Sequence, residues 1–231
     1  MRVDDLLRLL RQGYGPRRWK SRGDPMSTLM ATVLSQNTSD VNSERAFDSL
    51  MAAFGSWDAM AEASPEDIAR SIRAGGLADI KARRIRSILE EIRHECGGYD
   101  LDFLSGLGLA EAGAWLRKLP GVGPKTAACV LLFSLGMPAL PVDTHVFRVA
   151  RRLGLFHSGV SAERAHEILQ DLIPASRVYE FHLQMVEHGR KVCKAQRPRC
   201  SSCVLAGVCP SGSESGPPGR PSGLPVTKLR R

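Results

Sequence analysis

The chain has 231 residues, enough for one large domain or two small ones, and its 43% hydrophobic content is ordinary for a protein that buries a real core. Its 32 Lys and Arg against 24 Asp and Glu give a net charge of +8, which points to a polyanionic partner, nucleic acid first and an anionic membrane surface second. No apolar run approaches the roughly 20 residues a bilayer span requires, so a helical membrane span is excluded and a cytoplasmic protein, nucleoid-associated in a bacterium, is expected.

Almost every segment reads as helix, because apolar residues recur at three and four spacing and β-branched alternation is nearly absent. The opening "MRVDDLLRLL" places Asp4, Asp5 and Arg8 among leucines, which fits an amphipathic helix and breaks any signal-peptide core. "MSTLMATVLS" (26–35) follows Pro25, and "SERAFDSLMAAF" (43–54) stops at Gly55. In "SPEDIARSIRAGG" Ser64 is the expected N-cap and Pro65 the first helical residue. Further helices are expected at 78–95, ending at Gly97-Gly98, and at 110–119, ending at Pro120-Gly121. An all-apolar helix at 124–135 follows, then Thr144–Leu153, 161–173 and "VYEFHLQMVEHGRKVC" (178–193). The last stretch, 210–231, is rich in Pro, Gly and Ser and is expected to be a disordered basic tail.

The segment "LPGVGPKTA" joins two of these helices. Gly121 and Gly123 bracket Val122, so the turn can take positive φ and bring its backbone amides close to a ligand. Pro124 then opens a helix whose free N–H groups and positive dipole end lie beside the turn, a seat for a phosphate. A helix-hairpin-helix of this kind grips the DNA backbone without reading sequence. Lys125 lies in the first turn of the apolar helix, where the dipole and the low dielectric are expected to lower its pKa. Such a lysine can attack a sugar carbon as the neutral amine and form a Schiff base; the plainer alternative is a phosphate contact. Asp143, before "THVFRVARRLG", reads as an N-cap. A carboxylate held there stays ionised and also suits a developing oxocarbenium sugar.

Cys193, Cys200, Cys203 and Cys209 fall in one loop, with six, two and five residues between successive thiols. Clustering of this kind in a reducing compartment points to metal rather than disulfides. Structural zinc prefers two separated C-x-x-C knuckles or Cys/His pairs, and here only Cys200 and Cys203 form one. Spacing alone favours a 4Fe-4S cubane modestly. Cys96 and Cys129 read as ordinary buried thiols.

Together, "LPGVGPKTA" and, eighteen residues past its lysine, "VDTH" resemble the endonuclease III family of DNA glycosylases, with its hairpin and Gly/Pro-Asp signature. The likeness runs from about Asp24 to Cys209 and includes "VLSQNTSDV" (33–41), "GLADIKARRI" (76–85) and "HGRKVC" (188–193). It implies an all-α, two-lobed fold with a C-terminal 4Fe-4S cluster loop held by the four cysteines. One lobe would span 24–137 and the other 1–23 plus 138–209. It implies a bifunctional enzyme acting as a monomer on damaged double-stranded DNA. Such an enzyme excises an oxidised pyrimidine and nicks the abasic site by β-elimination, with Lys125 as nucleophile and Asp143 as catalytic carboxylate. Monofunctional adenine glycosylases of the superfamily keep the aspartate and lack the lysine, which this chain has. Expected DNA contacts are Gly121, Val122, Gly123 and Lys191. Family members also insert a glutamine, from a segment resembling "LSAQATD", into the space a flipped base vacates. The corresponding residue here is Asn37, with Gln36 one place earlier, and either could fill the gap. Two rival readings are a monofunctional mismatch-type glycosylase and a non-catalytic iron–sulfur DNA-binding protein. Arg83, Arg84, Arg86, Arg148, Arg151 and Arg152 are basic candidates, of which at most half are expected to touch DNA; His145 is expected to pack or cap locally.

Overall fold

The computed structural model of the protein describes residues 2–213, and every regular element among them is helical. In chain order these are α1 (Val3–Tyr14), α2 (Pro25–Leu34), α3 (Asp40–Phe54), α4 (Trp57–Glu62), α5 (Pro65–Ser71) and α6 (Ala78–Cys96). They continue with α7 (Leu109–Lys118), α8 (Pro124–Phe133), α9 (Thr144–Arg152), α10 (Ala162–Leu172), α11 (Val178–Lys191) and α12 (Pro210–Ser213). None of the described helices is long and apolar enough to cross a membrane.

Short polar caps set most of the starts. Asp24, Ser39, Ser56, Ser64, Asp143 and Ser161 each accept a hydrogen bond from an amide in the first turn of the helix they precede, satisfying a donor that would otherwise be orphaned. These caps explain two departures from expectation. α3 begins at Asp40 rather than 43 because Ser39 Oγ accepts from Asn42 N at 3.3 Å. The unanticipated α4 is six residues long, too short to show a period, and rests on Ser56 accepting from Ala59 N at 3.1 Å.

The expected tail is also shorter at its start than the composition suggests. Residues Pro210–Ser213 form α12, closed by Gly212 N donating to Cys209 O at 3.1 Å and fastened by Ser211 Oγ donating to Arg152 O at 3.0 Å. The rest of the tail, 214–231, lies outside the described residues.

Two apolar cores form. The first gathers Leu29, Met30, Leu50, Met60, Ile68, Ile85, Leu89 and Leu116 from α2 to α7. The second gathers Leu6, Leu10, Val146, Val149, Leu169, Phe181 and Met185 from α1, α9, α10 and α11. Helix α8 serves both, with Ala127, Ala128, Val130 and Leu131 in the first and Cys129, Leu132 and Phe133 in the second. An all-apolar helix is what a wall buried on both sides requires, and it leaves only the N-terminal turn of α8, with Lys125, facing outward between the cores.

Candidate active site and nucleic-acid interface

The hairpin between α7 and α8 is closed by Val122 N donating to Leu119 O at 3.1 Å, with Val122 itself buried. Gly121 takes the left-handed conformation (φ 71°), and a Cβ there would lie 2.2 Å from Arg84 Nε, so both backbone and space demand glycine. Gly123, expected to share the positive φ, is instead extended (φ −91°, ψ 179°), and a Cβ on it would meet nothing within 4 Å. Neither its conformation nor its protein neighbours require a glycine. Its bare backbone opens toward solvent at the N-terminus of α8, whose first amides have no side-chain cap. That combination is open to an anion approaching from outside.

Lys125 and Asp143 both line a cleft of about 1490 Å³ between the two cores, with Cys129, Phe133, His182 and Val142 at its inner wall. Asp143 is half-buried and extended; its Oδ1 accepts from Val146 N at 2.7 Å, so the cap uses one oxygen and holds the carboxylate at the cleft edge. Cys129, one turn beyond Lys125, is buried; burial pushes its thiol up, and its hydrogen bond and charge contact with Lys125 oppose that. His182 is buried against Phe133, ring centroids 5.5 Å apart. Burial pushes it down to about 4, with Asp143 acting in the opposite sense. It is therefore neutral near pH 7, and its contact of 2.9 Å with Pro141 O puts the ring proton on Nδ1, the atom that faces this acceptor.

The structure separates Gln36 from Asn37. Gln36 is tied to the hairpin: its Oε1 accepts from Arg84 Nη1, and its Nε2 reaches Gly121 O and Thr126 Oγ1, each at 3.5 Å. Asn37 is exposed and left-handed (φ 55°), a conformation Asn tolerates better than most residues. Gln36 thus anchors its loop to the hairpin, while the Asn37 side chain is left exposed at the cleft. Leu77 is half exposed (51%) and also left-handed (φ 52°). It immediately precedes α6, within which Arg84 lies in the second turn.

The four clustered cysteines line a separate cavity of about 170 Å³ together with Arg152, His188 and Leu205. Burial pushes the Cys203 thiol up, a hydrogen bond from the Leu205 amide opposes this, and the other three cysteines raise it further, so all four share one small space. Among the described residues no three His, Cys, Asp or Glu side chains converge as a single ion would need. Donors already face the sulfurs. Arg152 Nη1 lies 3.3 Å from Cys193 Sγ and the Leu205 amide 3.4 Å from Cys203 Sγ. His188, pushed down to about 4 by burial, places Nε2 3.7 Å from Cys203 Sγ while Nδ1 meets the Tyr14 hydroxyl at 2.6 Å.

Residues 30–175 match the family model described as the HhH-GPD superfamily base excision DNA repair protein. Endonuclease III of Thermotoga maritima is 37% identical over 207 residues, covering 90% of this chain and 92% of the relative. This chain belongs to the endonuclease III family. A protein of Arabidopsis thaliana named as a DNA glycosylase is 40% identical over 165 residues, 71% of this chain; the match spans 56% of that plant protein's length. A solved endonuclease III trapped as a covalent intermediate with DNA superimposes with a TM-score of 0.80 at 29% identity, covering 92% of this chain and 96% of the other.

In this endonuclease III relative the basic residues divide by role. Arg148 donates to Gly189 O and Cys193 O, and Arg152 to Lys194 O and Ala195 O, so both hold the cysteine loop against α9. Arg86 pairs with Glu90 and donates to Ala63 O. Arg151 lies over the Phe147 ring at 5.8 Å, and His145 contacts Arg148. Lys191 lines the cleft and pairs with Glu187 at 2.6 Å. Sequence reasoning missed His182 and Leu77, the pairing of Cys129 with Lys125, and the tie of Arg84 to Gln36. The spacing of four from Lys125 to Cys129 was a usable signal; the others depend on contacts between distant segments.

Proposed function

We propose that the protein is a base excision repair DNA glycosylase with abasic-site lyase activity, acting on oxidised pyrimidines in duplex DNA. The observation that carries this reading is the cleft that holds Lys125 and Asp143 together beside an anion-ready hairpin. The phosphate backbone would rest on Gly121, Val122, Gly123 and the first amides of α8, with Lys191 at the cleft edge. A damaged base, cheaper to unstack than a sound pair, would turn into the cleft while Asn37 and Leu77 enter the stack it left. The Lys125 amine attacks the anomeric carbon as the bond to the base breaks, and Asp143 stabilises the positive sugar in the transition state. The sugar ring then opens at its C1′–O4′ bond, with the amine proton passing to O4′, to give the Schiff base; this loses a proton from C2′ and expels the 3′ phosphate, and water then releases the lysine. We also read the two cores as lobes of 24–137 and 1–23 plus 138–209, with the cleft between them.

The direct test is an end-labelled duplex with one 5,6-dihydrouracil. The expected product is a β-elimination nick, together with a covalent adduct when borohydride is present. An intact strand carrying an abasic site would replace this reading with the monofunctional one, and binding without either product would leave a DNA-binding protein.

Cys193, Cys200, Cys203 and Cys209 fit a 4Fe-4S cluster better than one zinc, since they surround a cavity and do not converge on a point. Such a cluster would supply a rigid loop centre, joining Cys193 at the end of α11 to Arg152 of α9. The purified protein is expected to be brown and to contain iron. Cys203→Ser should bleach it and cost more than ~4 kcal/mol of stability, a range reached mainly when a core, a buried network or a metal is lost. Colourless protein with one zinc per chain would overturn the assignment.

A further inference from the structure

Lys81 is a large charged side chain that is only 2% exposed and has no acidic partner among the described ion pairs. Its Nζ donates to Leu34 O at 2.7 Å and to Gly75 O at 2.8 Å. Burial lowers its pKa, with Arg84 adding to this. An ammonium so placed is costly unless its hydrogen bonds are worth keeping. An apolar residue would fill the same volume without that cost, so the two carbonyls need explaining.

Leu34 is the last residue of α2, and its chain continues directly into Ser35, Gln36 and Asn37. Gly75 ends the short 3-10 turn Arg73–Gly75, and its chain continues through Gly76 to Leu77. Gly75 is itself buried, with space for a Cβ limited by Ala46 at 3.0 Å. The backbone amide of Lys81 also donates to Leu77 O at 3.0 Å. One residue therefore fastens the roots of both exposed, left-handed segments. Arg84, three residues on, adds the link from Gln36 to the hairpin.

Resting on the function proposed above, we infer that Lys81 is a positioning residue: it fixes the separation of Asn37 and Leu77, so that the two enter the duplex as one rigid pair. The ammonium suits this task because it reaches two carbonyls from one point, whereas an apolar side chain leaves both helix-end carbonyls without their donor. Lys81 itself is buried and does not line the cleft. Its loss should therefore weaken the opening of a stacked pair and spare chemistry at a sugar that already lacks its base.

The test compares the native chain with Lys81→Met and Lys81→Gln on two substrates. On a duplex with 5,6-dihydrouracil, single-turnover excision should fall ~10-fold or more in Lys81→Met, in line with ångström-scale misplacement of positioning groups. Lys81→Gln, which keeps one donor, should fall less. Borohydride trapping at a preformed abasic site should stay within about twofold of native, because no stacked base has to be removed there. A 2-aminopurine placed opposite the lesion should brighten on binding by the native chain and stay dim with Lys81→Met. Equal losses on both substrates would mean a merely structural lysine, and no loss on either would overturn the proposal as well. Should both variants fail to fold, the cycle of Asn37→Ala, Leu77→Ala and their double variant, with Lys81 intact, decides. Sub-additive losses support a rigid pair, and additive losses refute it. If the native chain neither excises nor traps, the glycosylase reading itself has failed.

Discussion

Lys125→Gln should abolish both the borohydride-trapped adduct and the strand nick, lowering the nicking rate by at least ~10³-fold, as removal of an enzyme's nucleophile does. Binding to duplex DNA should weaken only slightly, because the hairpin backbone and the other cations remain. The same change should leave the fold intact and add ~0.3–1 kcal/mol of stability, because a cation at the second position of α8 opposes the helix dipole. Glutamine keeps the length and most of the apolar stem, so packing against the α8 wall is preserved. This opposition of signs separates the roles. A lysine kept for structure would lose stability on replacement, and one kept for a phosphate contact would lose affinity with chemistry unchanged. Retention of the adduct in Lys125→Gln would move the nucleophile elsewhere in the cleft and remove the main support for a lyase.

How much of this was legible in the sequence depended on the distance over which each feature is built. Caps act within three residues, so Ser64, Pro65, Asp143 and the stops at Gly55 and Gly97 located helices correctly. The hairpin, with its glycines, proline and lysine in seven residues, was legible for the same reason, although only Gly121 takes positive φ. α4 escaped because six residues give too little periodicity. The arginines of α9 read as a basic face, yet Arg148 and Arg152 turn toward carbonyls forty-one or more positions away. That Gln36 is tethered and Asn37 exposed was illegible for a similar reason, since the tether is Arg84, forty-eight residues distant. Lys81 lay inside a recognisable motif, but its meaning required Leu34 and Gly75 to be adjacent in space.

Asp143→Asn should divide the two roles that meet at this residue. As an N-cap, asparagine is close to the equal of aspartate, since its side-chain oxygen can still accept from Val146 N. The cost to stability should stay below ~1 kcal/mol, the worth of one charge at a helix start. Asp143→Ala removes the acceptor too and should cost ~1–2 kcal/mol. Excision follows a different order. What a developing oxocarbenium requires is negative charge fixed at the cleft edge, and both variants lack it. Base excision from 5,6-dihydrouracil duplexes should fall ~10²–10³-fold in each, the usual size for one preorganised electrostatic group. Trapping at a preformed abasic site should fall far less, because the base has already gone and Lys125 is intact. Equal excision rates for Asn and Ala, set against unequal stabilities, would establish charge as the catalytic property. If excision in Asp143→Asn stayed near native while Asp143→Ala failed, Asp143 would be a cap alone, and the positive sugar would have to find its counter-charge in another group of the cleft.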